Sequence, residues 1–139
     1  MSDDDLFGDE HVRAYRETDG ERGYEWRGTQ CLLLTTIGRK SGEPRTMPLI
    51  FAPDEDRQVI VASKGGAPEH PEWYHNLVAS GDGSVELGTE TFPVTVKEIT
   101  GPDRDRIYDE QARRYPGFAE YAQKTAGIRT IPVLELRRG

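Results

Sequence analysis

The chain has 139 residues, 35% of them apolar, and a formal net charge of −7. That length suits one domain around one core, and the acidic balance disfavours nucleic acid as a partner because like charges repel at long range. The single cysteine, Cys31, excludes an internal disulfide and suits a reducing compartment.

No uninterrupted apolar run approaches the roughly 18 residues of a membrane span. Met1-Ser2-Asp3-Asp4-Asp5 lacks the basic and apolar regions of a signal peptide. The expectation is a cytoplasmic protein with no stable membrane insertion. Charge is unevenly placed. Residues 1–26 carry nine acids and three bases, whereas residues 27–48 carry Arg27, Arg39, Lys40 and Arg45 against Glu43 alone. A basic island in an acidic chain matters because the field at a site is local.

Taken in order, residues 1–8 read as a disordered acidic tail and residues 9–139 as one domain. Glu10 to Arg16 suits a short helix, with Val12 and Tyr15 on one face, broken by Gly20 and Gly23. Tyr24 and Trp26 then return to the core or cover a site. Cys31 to Ile37 is apolar and partly β-branched, which predicts a buried strand holding an inert thiol. Gly38 to Pro44 is a turn. Thr46 to Phe51 is the next strand, antiparallel because the connection is short. Pro48 lacks a backbone donor, which predicts an edge, a bulge or a ligand-facing kink. Asp54-Glu55-Asp56 is a polar turn, and Gln58 to Ser63 a third strand. Pro71 opens a helix to about Ala79. Ser80 to Gly83 is a loop. Ser84–Leu87 and Thr91–Ile99 form a hairpin, the second arm alternating as a half-buried strand does. Pro102, with Asp103 and Asp105 at the positive dipole end, opens a helix to about Arg114. Pro116-Gly117 breaks it, Phe118 to Thr125 is a further helix, and Ile131 to Leu136 is the last strand. The sum is an α+β chain, mainly antiparallel, of about six strands. Strands this short and numerous close into a small barrel, which removes their edges.

Three stretches carry chemistry. In the Gly38–Arg45 turn, Gly38 and Gly42 allow amides to converge on one point, and Arg39, Lys40 and Arg45 suit an anion. The same residues suit an exposed, solubilising loop equally well. A second cation on a second glycine turn, Lys64-Gly65-Gly66, lets two loops meet on one ligand. Neither turn has P-loop spacing. Trp73 shares a helix face with Asn76 and Leu77. It is either core or a wall against a flat ring. Ser63 lacks the Gly-x-Ser-x-Gly frame of a nucleophile and reads as a hydroxyl donor to a ligand. Tyr115, Phe118 and Tyr121, three apart, form an aromatic stripe that is either core or a lid hinged at Pro116-Gly117. No acid–histidine cluster has metal-ligand spacing.

Taken together, Thr35 to Arg45, Ala62 to Pro68 and His70 to Leu77 resemble the deazaflavin-dependent nitroreductase and quinone reductase family. This is the actinobacterial branch of the split β-barrel (FMN-binding-like) flavin and deazaflavin oxidoreductases. The resemblance covers roughly Gln30 to Leu136. It implies a split β-barrel and coenzyme F420, an 8-hydroxy-5-deazaflavin with a phosphodiester and an oligoglutamate tail. It also implies hydride transfer from the reduced ring to a small-molecule acceptor, a quinone, enone or nitroaromatic. Residue by residue, it puts Arg39, Lys40, Arg45 and Lys64 at the phosphate and tail, with Ser41 also among the cofactor-binding residues. Gly65, Gly66 and Ala67 fall beside the ribityl chain, and Pro48, Ile50, Val61 and Ser63 around the ring. Trp73 and Asn76 support the phosphate end or the loop. Ile50, Tyr115, Phe118 and Tyr121 bound the acceptor. Apart from the resemblance, the residues leave Tyr115, Ser63 or solvent as the source of the proton. Other readings are an FMN or FAD reductase on the same barrel and a non-catalytic deazaflavin-binding protein. A monomer or homodimer is expected.

Overall fold

The computed structural model describes residues 6, 8–26, 29–54 and 57–138. The expected acidic tail therefore lies almost wholly outside the described residues, as do Arg27, Glu55 and Asp56. Seven strands are described: β1 (Glu25–Trp26), β2 (Thr29–Ile37), β3 (Pro44–Asp54), β4 (Arg57–Val61), β5 (Asp82–Leu87), β6 (Glu90–Ile99) and β7 (Val133–Arg138). Four helices accompany them: α1 (Gly8–Glu17), α2 (Glu72–Ser80), α3 (Gly101–Arg114) and α4 (Gly117–Thr125).

All strand pairs are antiparallel, in the order β1-β2-β3-β4-β7-β6-β5. A further pairing of β2 with β5, Leu33 opposite Glu86 and Thr35 opposite Ser84, closes six of them into a barrel. The short β1 is an addition to the expected six. It pairs only with the start of β2.

The run Leu32-Leu33-Leu34 is apolar without alternation because both faces of β2 are covered. Leu32 and Leu34 point into the barrel, with Phe51, Ile60, Val85, Phe92, Leu134 and Leu136. Trp73 and Leu77 of α2 join the same interior. Leu33 packs outward against Val12 and Tyr15 of α1. Each of the three leucines is essentially fully buried, worth about 1.5–3 kcal/mol apiece in apolar surface withdrawn from water. A second outer layer sets Val59 and Val61 against Ile107, Tyr108 and Phe118 of α3 and α4.

Pro48 sits in the ladder opposite Leu33. Strand β3 pairs with β2 over Pro44–Ile50 and with β4 only from Phe51 onward. One side of the Pro48 stretch thus has no strand partner among the described residues, the edge setting in which a proline is tolerated. Barrel and helices are also tied electrostatically. Arg57 Nη1 donates to the buried Glu135 Oε2 at 2.7 Å, and Arg57 lies 3.7 Å from Asp103 of α3. Among the described residues no helix is long and apolar enough to cross a membrane.

Candidate functional site

A cleft of about 630 Å³ opens along the free part of β3. Pro48, Ile50 and Val61 line it from the sheet. Ser63, Lys64, Pro71, Glu72 and Trp73 line it where the barrel meets α2. Tyr115, Phe118 and Tyr121 line it from the α3–α4 corner, and Gly8, His11, Trp26 and Cys31 from α1 and the first strands. The size is that of a small-molecule site.

The cleft therefore gathers nine of the residues singled out in the sequence: Pro48, Ile50, Val61, Ser63, Lys64, Trp73, Tyr115, Phe118 and Tyr121. Arg39, Lys40, Ser41, Arg45, Gly65, Gly66, Ala67 and Asn76 are not among its lining. They lie on the two glycine turns, at the start of β3 and on α2.

The first turn is held differently from the expectation that its amides converge on an anion. Gly38 N–H donates to Glu43 O and Gly42 N–H to Gly38 O, both at 2.8 Å. Glu43 N–H donates to Ser41 Oγ at 3.2 Å, and Arg39 N–H to Asn76 Oδ1 at 3.1 Å. A tight hairpin satisfies its own donors, so these N–H groups are spent within the protein. Arg39 Nη1 also donates to the buried Asn76 at 2.9 Å and to Glu72 Oε2 at 2.8 Å. This hydrogen bond from Arg39 holds the Glu72 carboxyl below the usual carboxylate range. Arg39 and Asn76 thus fasten the turn to α2, beside Glu72 at the cleft rim. Lys40 and Arg45 are exposed and form no ion pair among the described residues.

The second turn is a single 3₁₀ turn, Lys64–Gly66. Gly66 N–H donates to Ser63 O at 2.9 Å and Ala67 N–H to Lys64 O at 3.2 Å. Gly66 has φ +83°, and a Cβ there would stand 3.0 Å from Lys124 Cδ and 3.2 Å from Tyr121 Cα. The glycine is required by the close approach of α4 as well as by its backbone angle. Lys64 itself has φ +48°, a left-handed conformation that costs a non-glycine residue about 1–2 kcal/mol. Its Nζ pairs with Glu69 Oε1 at 2.8 Å on the surface.

Arg129 grips this turn, and nothing in the sequence reading pointed to it. Its Nη1 donates to Ala62 O at 3.2 Å, its Nη2 to Ser63 O at 2.8 Å and its Nε to Ala67 O at 3.0 Å. Nη1 also donates to His70 Nδ1 at 2.9 Å. An isolated arginine in a loop carries no periodicity and no motif that would have marked it.

Tyr115 caps the C-terminus of α3 rather than continuing a helical stripe. Its ring lies 5.2 Å from that of Phe118, which is 6.1 Å from Tyr121. A Cβ at position 117 would fall 2.3 Å from Tyr115 Cε2. Gly117 therefore makes room for the Tyr115 ring. Phe118 is buried within the outer core while also lining the cleft, so a core residue forms part of the cleft wall. Tyr108 of α3 donates its hydroxyl to Phe118 O and so fixes the corner.

Trp73 is likewise both core and lining. The contribution of α1 was not anticipated. His11 Nε2–H donates to Gly23 O at 2.8 Å, and Trp26 Nε1–H to Leu6 O at 2.9 Å. Trp26 had been expected in the core or over a site, and it lines the cleft. Cys31 stands opposite Ile50 in the β2–β3 ladder, so the hairpin register alone would have put it there. Burial pushes its thiol up to about 12, which leaves it protonated and unreactive.

Comparison with known proteins gives a consistent result. The family described as F420H(2)-dependent quinone reductase matches residues 8–137. An F420H(2)-dependent quinone reductase of Mycobacterium tuberculosis is 41% identical over 135 residues, covering 92% of this chain and 87% of that protein. Among solved structures, one titled F420-H2 dependent reductase (FDR-A) superposes with a TM-score of 0.69 at 38% identity, covering 80% of this chain and 95% of that one. Another, titled a domain-swapped dimer, gives a TM-score of 0.71 at 36% identity, covering 91% and 96%.

Proposed function

Since the chain belongs to the F420H(2)-dependent quinone reductase family, we propose that its cleft holds the deazaflavin ring and the acceptor side by side. The chain is an oxidoreductase of the split β-barrel fold and coenzyme F420 is its cofactor. No FMN or FAD alternative is needed. When bound, reduced F420 supplies the hydride, and the residues of the chain supply position, dryness and a proton.

In this reading Pro48, Val61 and Ser63 hold the ring, and Gly65, Gly66 and Ala67 border the chain that leaves it. Lys40, Arg45 and Lys64 meet the phosphate and the anionic tail, with Ser41 in the same turn. Arg39 and Asn76 hold that turn against α2, and Trp73 closes the cleft behind it. The acceptor packs against Ile50, Tyr115, Phe118 and Tyr121. The donor set fits the cofactor: the sheet floor is apolar, while Lys40 and Arg45 are exposed and form no ion pair among the described residues. The supporting observation is the single cleft that puts the Ser63–Lys64 turn and the Tyr115–Tyr121 corner on one cavity. The hydroxyls of Ser63 and Tyr115 have no hydrogen-bond partner among the described residues. Both are therefore free to donate to a reacting oxygen. The acceptor is a small molecule of the quinone class; enones and nitroaromatics are further electrophiles that an apolar, aromatic-sided cleft admits. The proposal includes a cytoplasmic location, which suits a lone buried thiol, and a homodimer, which suits the likeness to a domain-swapped dimer.

Side-by-side fluorescence titration of the purified protein with F420, FMN and FAD tests this reading. F420 is expected to bind at least tenfold more tightly than either flavin. Equal or tighter binding of FMN would overturn it.

A further inference from the structure

We infer that Arg129 and His70 form a pH-sensitive clamp that positions the Ser63–Ala67 turn for the cofactor. The inference rests on the proposed placement of F420 beside that turn.

Three observations converge. First, Arg129 makes four hydrogen bonds, to the carbonyls of Ala62, Ser63 and Ala67 and to His70 Nδ1. The three carbonyls flank the turn on both sides, so one planar fork fixes its entry and its exit. Second, the turn contains Lys64 in the left-handed region. A strained backbone persists only where its surroundings over-determine it, and the Arg129 fork spans that residue. Third, Arg129 is anchored to the acceptor side. Its own N–H and that of Ile128 donate to Thr125 O at the end of α4, at 3.0 and 2.8 Å. Tyr121 and Lys124 of the same helix press on Gly66. The clamp therefore joins the wall carrying Phe118 and Tyr121 to the turn carrying Ser63 and Lys64.

Among the described residues no carboxylate is hydrogen-bonded to Arg129. Its guanidinium is held by neutral acceptors, of which His70 alone can change charge. The Arg129–His70 bond requires Nδ1 to be unprotonated. A proton on Nδ1 would turn an acceptor into a donor 2.9 Å from a guanidinium nitrogen and set two positive charges together. Burial, then Arg129, then His75 lower the His70 pKa, while Glu98 opposes them. The groups acting on His70 are therefore Arg129 from the α4–β7 connection, His75 from α2 and Glu98 from β6. The neutral ring of Tyr74 lies 4.8 Å away, its hydroxyl bound to Glu98. On Arg129 the groups are Glu69 and Tyr108, and burial lowers its pKa. With its value lowered, His70 stays neutral and the clamp closed at neutral pH. The clamp opens on the acid side of the ordinary histidine value.

Arg129 and His70 are positioning residues, and the test reads position as well as binding. Arg129→Gln, Arg129→Lys and His70→Asn are compared with the wild type by F420 titration between pH 5.5 and 8 and by amide hydrogen exchange. Asparagine keeps an acceptor near the Nδ1 position at every pH. Arg129→Gln is expected to weaken F420 binding at least tenfold at pH 7.5. Gly66 and Ala67 should lose exchange protection while β4 and β7 keep theirs. Arg129→Lys, which keeps the charge and loses the fork, should not restore either property. His70→Asn should match the wild type within threefold at pH 7.5. The ratio of wild-type to His70→Asn dissociation constants should then rise at least fivefold by pH 5.5, a comparison in which any titration of the cofactor itself cancels. A flat ratio, or unchanged F420 affinity with intact Gly66 and Ala67 protection in Arg129→Gln, would overturn the clamp. Should Arg129→Gln not fold, the His70→Asn ratio decides alone. Should wild-type protein not bind F420, the cofactor placement fails, and exchange at Gly66 and Ala67 in wild type and His70→Asn across pH still decides the clamp.

Discussion

Replacing Lys40 and Arg45 together by alanine isolates the electrostatic part of cofactor binding. Arg39 is the wrong probe, because it is bonded to Asn76 and Glu72 and its loss would release the turn from α2. Lys40 and Arg45 are exposed and unpaired among the described residues, so removing them leaves no orphaned partner. Exposed ion pairs are worth about 0.2–1 kcal/mol each, and a tail with several negative charges puts these two near the top of that range. Two such contacts sum to about 2 kcal/mol, or roughly a 30-fold rise in dissociation constant at low ionic strength. At ~1 M salt the Debye length is about 3 Å, so the difference should shrink to a few-fold. Thermal stability should stay within about 0.5 kcal/mol of wild type, as for surface substitutions generally. Fluorescence titration with F420 at two salt concentrations, with a thermal melt as control, measures all three. Unchanged affinity at low salt would show that the tail does not run past this turn.

Two further outcomes are expected. Tyr115→Phe removes a hydroxyl without altering the ring that fills the space over Gly117. It should lower kcat with a quinone acceptor at least tenfold while leaving F420 affinity and melting temperature in place; a drop in stability without loss of turnover would make Tyr115 a packing residue only. Glu135 concerns stability. Burial raises its carboxyl pKa, but hydrogen bonds from Arg57 and Arg137 outweigh this and lower it overall. A depressed carboxylate contributes stability above its unfolded value of about 4.3 and loses it as pH falls through the folded value. Glu135→Gln should therefore be less stable than wild type by about 2 kcal/mol at pH 7, since hydrogen bonds to charged groups are worth ~1.5–3 kcal/mol. The gap should close as the wild type is acidified below pH ~4, and parallel stability curves down to pH 2 in urea would contradict the role of this pair.

Much of the fold was legible because burial leaves a local record. The apolar run at Leu32–Leu34, the alternation through Phe92, Val94 and Val96, and the helix starts near Pro71 and Pro102 report which faces lose contact with water. Strand and helix periods follow from that. The closed barrel was legible in kind, since short antiparallel strands seek to remove their edges. The added strand β1 was not, because two residues carry no period.

The candidate site divides the same way. Its ingredients, two basic glycine turns and an aromatic corner, are local in sequence, and the resemblance of three motifs in order was enough to indicate the cofactor. Their arrangement was decided only in three dimensions. Arg39 meets Asn76 across 37 residues and Arg129 meets Ala67 across 62. The register of β2 on β3 brings Cys31 to the cleft, and the packing of α1 adds His11. A hydrogen bond between distant groups requires only one donor and one acceptor, and it imposes no pattern on the residues between them. The sequence alone therefore determined which segments are buried and where positive charge gathers on glycine turns. The tertiary structure decided which of those charges are spent on holding the turns and which remain for a ligand, because that depends on what each side chain can reach once the barrel has closed.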